Sequence, residues 1–321
     1  MKWLLLFLLA ACGGNTHQSA LSSAGPGAYA IEKLFWILTI GLGAVFILTL
    51  ALLARALKSG GNAKKPGGKF ILGFGVFMPA MVVTAILFYS LSLSFSLKGS
   101  EQAQKAEFRI VVTGHQWWWE VEYPEFGIMT ANELHIPKGK NVAIELRSAD
   151  VIHSFWVPSL HGKLDAIPDH PNTIVVRADR TGVFRGQCAE YCGLQHALMG
   201  LYVVSLEEEE FDRWVEQKSR PWKVKKEEFA QMEKGKKVFF KASCDNCHTI
   251  RGTQADGKVG PDLTHLGSRL SLGAGAIDNS HGALAGWVAN SQAIKPGNFM
   301  PPTYLSPKDL EALRRFLMSL K

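Results

Sequence analysis

Two long stretches without a single charge dominate the first hundred residues. Leu34 to Ala54 gives 21 such positions and Phe70 to Leu97 gives 28. A helix needs about 20 apolar residues to cross a bilayer core. Both segments are therefore long enough to span, the second with some tilt. A core helix of that length would carry polar positions on one face, and neither does. Pro79 is expected to kink the second span. From about Glu107 the pattern changes to short β-rich runs: Phe108 to Val112, Asn141 to Leu146, Thr173 to Val176 and Leu201 to Val204, separated by Gly, Pro and Asp turns. Strands at this spacing predict a sandwich or barrel. A short polar helix begins over Glu207 to Glu210, Ser219 to Trp222 reads as a linker, and from Lys225 the chain reads as helices joined by Gly- and Pro-rich loops. The last of these is the amphipathic segment Lys308 to Leu320.

This pattern predicts a multidomain chain: a two-helix transmembrane hairpin over 29–98, with spans at about 34–54 and 70–97, then an all-β module over 106–206. A linker over 207–224 and an all-α module over 225–321 complete it. The 321 residues have room for two modest domains, and the 47% hydrophobic content is concentrated in the hairpin. Between the spans, Arg55, Lys58, Lys64, Lys65 and Lys69 stand without an acidic residue. Short basic loops stay cytoplasmic, which places both termini and both modules on the outer face, the periplasm in a bacterium. Ahead of the hairpin, Lys2, the apolar run Trp3 to Ala11 and the sequence Leu9-Ala10-Ala11-Cys12 resemble a bacterial lipoprotein signal. Residues 1–11 would be removed and Cys12 lipidated, leaving 12–28 as a periplasmic leader. The net charge of +7 is unevenly spread. No nucleic-acid partner is expected.

The five cysteines form one single, Cys12, and two tight pairs, a pattern suited to ligation and covalent attachment rather than to a disulfide framework. Cys188, Cys192, His196 and Met199 place two thiolates, an imidazole and a thioether within twelve residues. Soft sulfur ligands with imidazole favour copper, whereas zinc gains little from methionine. A Cys188–Cys192 disulfide is the plain alternative, but leaves His196 and Met199 unexplained. Two bridging cysteines need a second imidazole, for which His153 is the best candidate, and the Glu190 carbonyl is placed to cap one metal. Separately, Cys244-Asp-Asn-Cys247-His248 is the c-type haem attachment pattern, with His248 facing the iron. Met300, in Gly-Asn-Phe-Met-Pro-Pro, is the best candidate for the opposite ligand, because methionine there raises the potential. His265, His281 and Met318 are rivals that read more simply as packing or surface residues.

The segment from the first span to Leu206 resembles subunit II of haem–copper cytochrome c oxidases. The resemblance rests on Gly114-His-Gln-Trp-Trp-Trp119, His153-Ser-Phe-Trp-Val-Pro-Ser-Leu160 and Lys163-Leu-Asp-Ala-Ile-Pro168. It implies a cupredoxin fold and a dinuclear copper-A centre held by His153, Cys188, Cys192, His196 and Met199. By the same resemblance the Glu190 carbonyl faces copper and its carboxylate reaches a magnesium shared with subunit I, and Trp117 is the exposed indole through which electrons enter. Residues from 225 onward resemble class I cytochrome c, which implies that the Pro261 carbonyl receives the His248 ring N–H. Together these resemble a caa-type oxidase subunit, working with subunits I and III and a donor cytochrome. The dioxygen chemistry then belongs to subunit I. Two departures limit the resemblance: Asp169-His170 stands where Gly-Arg is common, and Phe70 to Met78 lacks the acid that serves a proton channel in many members.

Residues 106–206 hold eight basic and eleven acidic side chains, a net of −3, and residues 225–321 hold fourteen and nine, a net of +5. Opposite fields on tethered modules favour contact, so the helical module is expected to act as a built-in electron donor docking near Trp117. A stand-alone membrane carrier is the rival reading. A quinol oxidase subunit would lack the copper ligands, and ten histidines without a cluster exclude the histidine-rich catalytic domain of nitrous oxide reductase.

Overall fold

A computed structural model of the chain describes residues 18–58, 67–97, 103–223 and 229–321. Cys12, the signal-like segment and Lys64 and Lys65 lie outside the described residues. The chain divides into two compact units, one of Gly27–Lys98 and one of Met1–Pro26 with Gly99–Lys321.

In the smaller unit, α1 runs Pro26–Lys58. It is longer than the uncharged run because Glu32 and Lys33 extend it at one end and Arg55 and Lys58 at the other, residues that tolerate a helix well. The second helix begins as α2 (Gly68–Leu72), widens into a π turn at Gly73–Phe77 and continues as α3 (Met78–Ser96). The π turn sits directly before Pro79. The chain thus accommodates the missing N–H and the bulky ring by opening the hydrogen-bond ladder locally. None of the most apolar stretch of either helix is buried in the protein. Side chains such as Phe46, Ile47, Phe77 and Phe88 face outward all around, which suits lipid rather than water.

The larger unit opens with a sandwich of two five-stranded sheets. One holds β1 (Phe108–His115), β2 (Trp118–Tyr123), β3 (Ile128–Ala131), β5 (Val142–Ser148) and β8 (Asn172–Val176), in the order β3-β2-β1-β5-β8. The other holds β4 (Glu133–Pro137), β6 (His153–Trp156), β7 (Leu164–Ala166), β9 (Gly182–Cys188) and β10 (Gly200–Leu206), in the order β4-β10-β9-β6-β7. Alternate residues turn inward, so Ile110, Val112, Trp119, Val121, Leu134, Ile144, Leu146 and Phe155 form a closed core. This is the expected cupredoxin-like sandwich. Within the segment expected to link the modules, α4 (Glu208–Ser219) packs onto the sandwich. Phe211 stacks on Phe108 at 5.4 Å and Trp214 on His135 at 4.5 Å.

The C-terminal module is built on α5 (Phe229–Lys241), α6 (His281–Ala289), α7 (Ser291–Ile294) and α8 (Pro307–Ser319), with a small ribbon, β11 (Ser271–Leu272) and β12 (Ile277–Asp278). The amphipathic pattern read over Lys308–Leu320 is α8, started by Ser306, whose hydroxyl accepts from the Asp309 N–H, and by Pro307. α5 and α8 cross at Gly235, where any side chain would run into the Ala312 carbonyl. That close approach lets Phe239 and Phe316 meet edge to face in the buried core.

Candidate functional site

The sulfur ligands gather because the strands on either side of their loop are paired. β9 ends at Cys188 and β10 begins at Gly200, and the two strands run antiparallel. The Cys188 N–H donates to the Met199 carbonyl at 2.9 Å and the Ala189 N–H to the Ser154 carbonyl at 2.9 Å. β6 pairs Phe155 with Cys188, which brings His153 alongside. The loop then folds back in a single turn at His196–Leu198. The result is a compact donor cluster. Cys188 Sγ lies 3.8 Å from Cys192 Sγ, 4.0 Å from His153 Nδ1 and 3.2 Å from the Glu190 carbonyl. Cys192 Sγ lies 3.6 Å from His196 Nδ1 and 3.8 Å from Met199 Sδ.

These distances exclude a Cys188–Cys192 disulfide in this conformation, since bonded sulfurs sit at about 2.05 Å. Both cysteines, Met199 and His153 are buried. The hydrogen bond between the two sulfurs, opposed by burial and aided by His153, draws the Cys188 thiol down to about 3. That same contact, with burial, pushes Cys192 far up. One negative charge forms readily here and the second is resisted, as for any like-charged pair at contact. A cation between them removes the conflict, so the donor set fits a metal held by both sulfurs.

A glycine makes room for the His153 imidazole. A side chain at Gly114 would strike the His153 ring, its Cβ falling 2.6 Å from Cδ2. Asp150, not foreseen from the sequence, accepts from His153 Nε2 at 2.7 Å and is itself held by the N–H groups of Gln116 at 2.7 Å and Val151 at 2.6 Å. Burial alone would raise the Asp150 carboxyl, but the hydrogen bonds from His153, Val151 and Gln116 hold it below the usual range. The aspartate fixes the ring and directs Nδ1 at the sulfurs. Its signal in the sequence is weak, because it depends on the turn between β5 and β6. The exposed Glu190 carboxylate pairs with Lys163 at 3.3 Å.

Trp117 adjoins this cluster: its indole N–H donates to the Cys192 carbonyl at 3.0 Å. The expectation of an exposed indole is corrected, for Trp117 is only 8% exposed. Phe299 of the C-terminal module stacks on it at 5.4 Å and 22°. Asp169 adopts φ 57°, a conformation that aspartate tolerates better than most residues.

The second cluster is local. Cys244–Asn246 form one tight turn, the His248 N–H donates to the Cys244 carbonyl at 3.0 Å, and His248 Nδ1 meets the Pro261 carbonyl at 2.8 Å. That bond leaves Nε2 as the nitrogen available to a metal. Burial holds the His248 ring below the usual range despite the Pro261 contact, so it is neutral and available to iron at neutral pH. A Cβ at Gly260 would fall 2.5 Å from the His248 ring, and glycine keeps the ring's place open. Burial also pushes the Cys244 thiol up to about 11. These residues fit a covalently held haem. Met300 sits in the loop after α7, its N–H on Asn298 Oδ1 at 2.9 Å and its carbonyl accepting from Ser291 Oγ at 2.8 Å and Gln292 Nε2 at 2.9 Å. His265 is a brace, its Nε2 3.1 Å from the Lys218 carbonyl, and His281 meets Arg314.

Comparison with known proteins covers both clusters. The model of the cytochrome c oxidase subunit II periplasmic domain matches residues 127–206, and that of cytochrome c matches residues 232–321. Cytochrome c oxidase subunit 2 of Alkalihalophilus pseudofirmus (strain OF4) is 34% identical, the match covering 100% of this chain and 96% of that protein. Cytochrome c oxidase subunit 2 of Bacillus subtilis (strain 168) is 29% identical, over 99% of this chain and 96% of its own.

Proposed function

Because the chain belongs to the cytochrome c oxidase subunit 2 family, and so to a haem–copper oxidase complex in a membrane, we propose that it is subunit II of a caa-type cytochrome c oxidase. In this reading electrons from a donor cytochrome pass by way of this chain to subunit I, where dioxygen is reduced to water and protons are translocated. Subunit III completes the complex. His153, Cys188, the Glu190 carbonyl, Cys192, His196 and Met199 would hold a dinuclear copper-A centre. Cys244 and Cys247 would hold haem c covalently, with His248 and Met300 at its iron. When bound, each of these groups accepts and releases single electrons. The Glu190 carboxylate would contribute to a magnesium shared with subunit I, which requires it to leave Lys163.

The chain's own residues have three tasks. The buried sulfurs and the buried His153 ring keep water from the donor cluster. Asp150 and the Pro261 carbonyl fix the His153 and His248 rings, so little rearranges when charge changes. Trp117, bonded to the Cys192 carbonyl, offers an aromatic surface beside the ligand loop, and the stack with Phe299 supports electron entry there from the chain's own cytochrome module. The basic loop after α1 supports a multi-pass topology in the bacterial inner membrane, with both termini and both redox modules in the periplasm. Lipidation of Cys12 would add an anchor on that side.

The observation that carries this reading is the donor cluster around Cys188 and Cys192 joined, in one chain, to a complete haem attachment site. Affinity purification from membranes tests it. The chain should copurify with a large subunit carrying non-covalent haem. Recovery alone, with its own chromophores intact, would instead favour a stand-alone carrier.

A further inference from the structure

The two redox modules meet at several points, and one short segment lies beside the copper-ligand loop. Residues Lys295 to Phe299, immediately before Met300, lie along the loop that carries the copper-ligand candidates. Lys295 reaches furthest: Nζ donates to the Trp117 carbonyl at 2.7 Å and the Leu198 carbonyl at 2.8 Å in the sandwich, and to the Gly273 carbonyl at 3.0 Å in its own module. Beside it, Gln195 Nε2 donates to the Pro296 carbonyl, and the Gly200 N–H donates across to the Ala274 carbonyl at 2.7 Å. Lys295 is 3% exposed. Burial brings its pKa down to about 7, with Cys192 drawing it the other way. A lysine is seldom buried without a partner of opposite charge. Here three carbonyls take all three ammonium hydrogens, a complete set for this group.

We propose that Lys295 is the pin that seats the cytochrome module on the copper-ligand loop and so holds Phe299 against Trp117. A cation meeting carbonyls from both modules converts loose tethering into one fixed geometry. Charge-assisted bonds to backbone atoms are directional in a way that opposite net charges are not. Two of those carbonyls belong to Trp117, the partner of Phe299, and to Leu198, which lies between His196 and Met199. The same lysine therefore sets the aromatic contact and braces the ligand loop. Lys295 is a positioning residue, with no ligand or reacting atom of its own. With the face of Trp117 covered, a separate donor would have to deliver to the cytochrome module. That consequence rests on the proposed function.

Amide hydrogen exchange of the full-length, metal-loaded chain in detergent tests the pin. The Gly200 and Leu270 amides are suitable reporters, because each donates across the junction, Leu270 to Glu133 Oε2 at 2.6 Å. Lys295→Met should leave three carbonyls at the junction without this donor. Exchange at both reporters should then rise about 10- to 100-fold, while the core amides of Ile144 and Leu313 keep their protection. A smaller rise is expected for Lys295→Gln, which retains a shorter donor. Reporters that exchange as in the unaltered chain would overturn the pin. If Lys295→Met also exposes the core amides, the glutamine variant decides, and unchanged exchange at Gly200 in that variant overturns it equally. The readout does not depend on oxidase activity, so failure of the pin and failure of the electron-transfer reading are separate results.

Discussion

Removing Asp150 should loosen copper without unfolding the sandwich. Its carboxylate holds the His153 ring at 2.7 Å and is oriented by two backbone N–H groups, at 2.7 and 2.6 Å. Losing such a support behind a metal ligand typically costs 10- to 100-fold in metal affinity, or about 1.4–2.8 kcal/mol. Asp150→Ala, which frees the ring, should lie near the upper end. Asp150→Asn keeps one oxygen toward His153 and should lie near the lower. A second effect opposes the first, because Asp150 also helps to hold the His153 pKa above the usual range. Without it the proton competes less well with the metal. Titration at about pH 8 against a copper chelator of known affinity largely removes that competition and isolates the loss of orientation. Melting temperatures in the metal-free state provide the control for folding. Equal copper affinities in all three proteins would refute the assignment of Asp150 as the support for His153.

Three further outcomes follow from the same geometry. In the metal-free chain the raised His153 and Cys192 pKa values mean that protons must leave as copper enters, so affinity should climb from about pH 6 to about pH 8; a flat or falling profile would contradict this. The sign for stability is opposite: the contribution from His153 is present at low pH and fades as pH rises through its folded value. Met300→Ala should leave haem attached through Cys244 and Cys247 but abolish the low-spin absorption spectrum, and an unaltered spectrum would remove Met300 as the ligand. Phe316 is fully buried, 6.0 Å from Phe239 and 5.4 Å from Trp222. Phe316→Ala should cost about 3–5 kcal/mol in the cytochrome module, with the copper signal intact; calorimetry showing no loss would contradict the packing.

The clusters were legible because their donors are close in sequence. Cys188 to Met199 and Cys244 to His248 each occupy one loop, so ligand chemistry could be read without knowing the fold. The strands Phe108–Val112 and Leu201–Val204 were legible from their β-branched runs, whereas β6, β7 and β9 carry no such run and exist because their neighbours pair with them. Asp150 was not legible, since an aspartate in a turn usually serves the turn alone. Lys295 was hidden for a similar reason, because an isolated lysine before Pro-Gly reads as a solvated surface residue. Charge pointed to a docked cytochrome module but not to the means. The acidic run beginning at Glu207 pairs within its own module, Glu207 with Lys138 and Glu208 with Lys140. The junction instead relies on Lys295, Gln195 and Arg251 donating to backbone carbonyls. The stacking of Phe299 on Trp117 belongs to that junction and was beyond the reach of a motif.

The most direct measurement is a combined optical and EPR spectrum, with metal analysis, of the purified chain after copper loading. Paired copper sharing an unpaired electron and a thioether-linked haem should appear together in one polypeptide. Zinc or a disulfide at Cys188 and Cys192, or haem that extracts into acidified solvent, would contradict the assignment of this chain as a two-centre electron carrier.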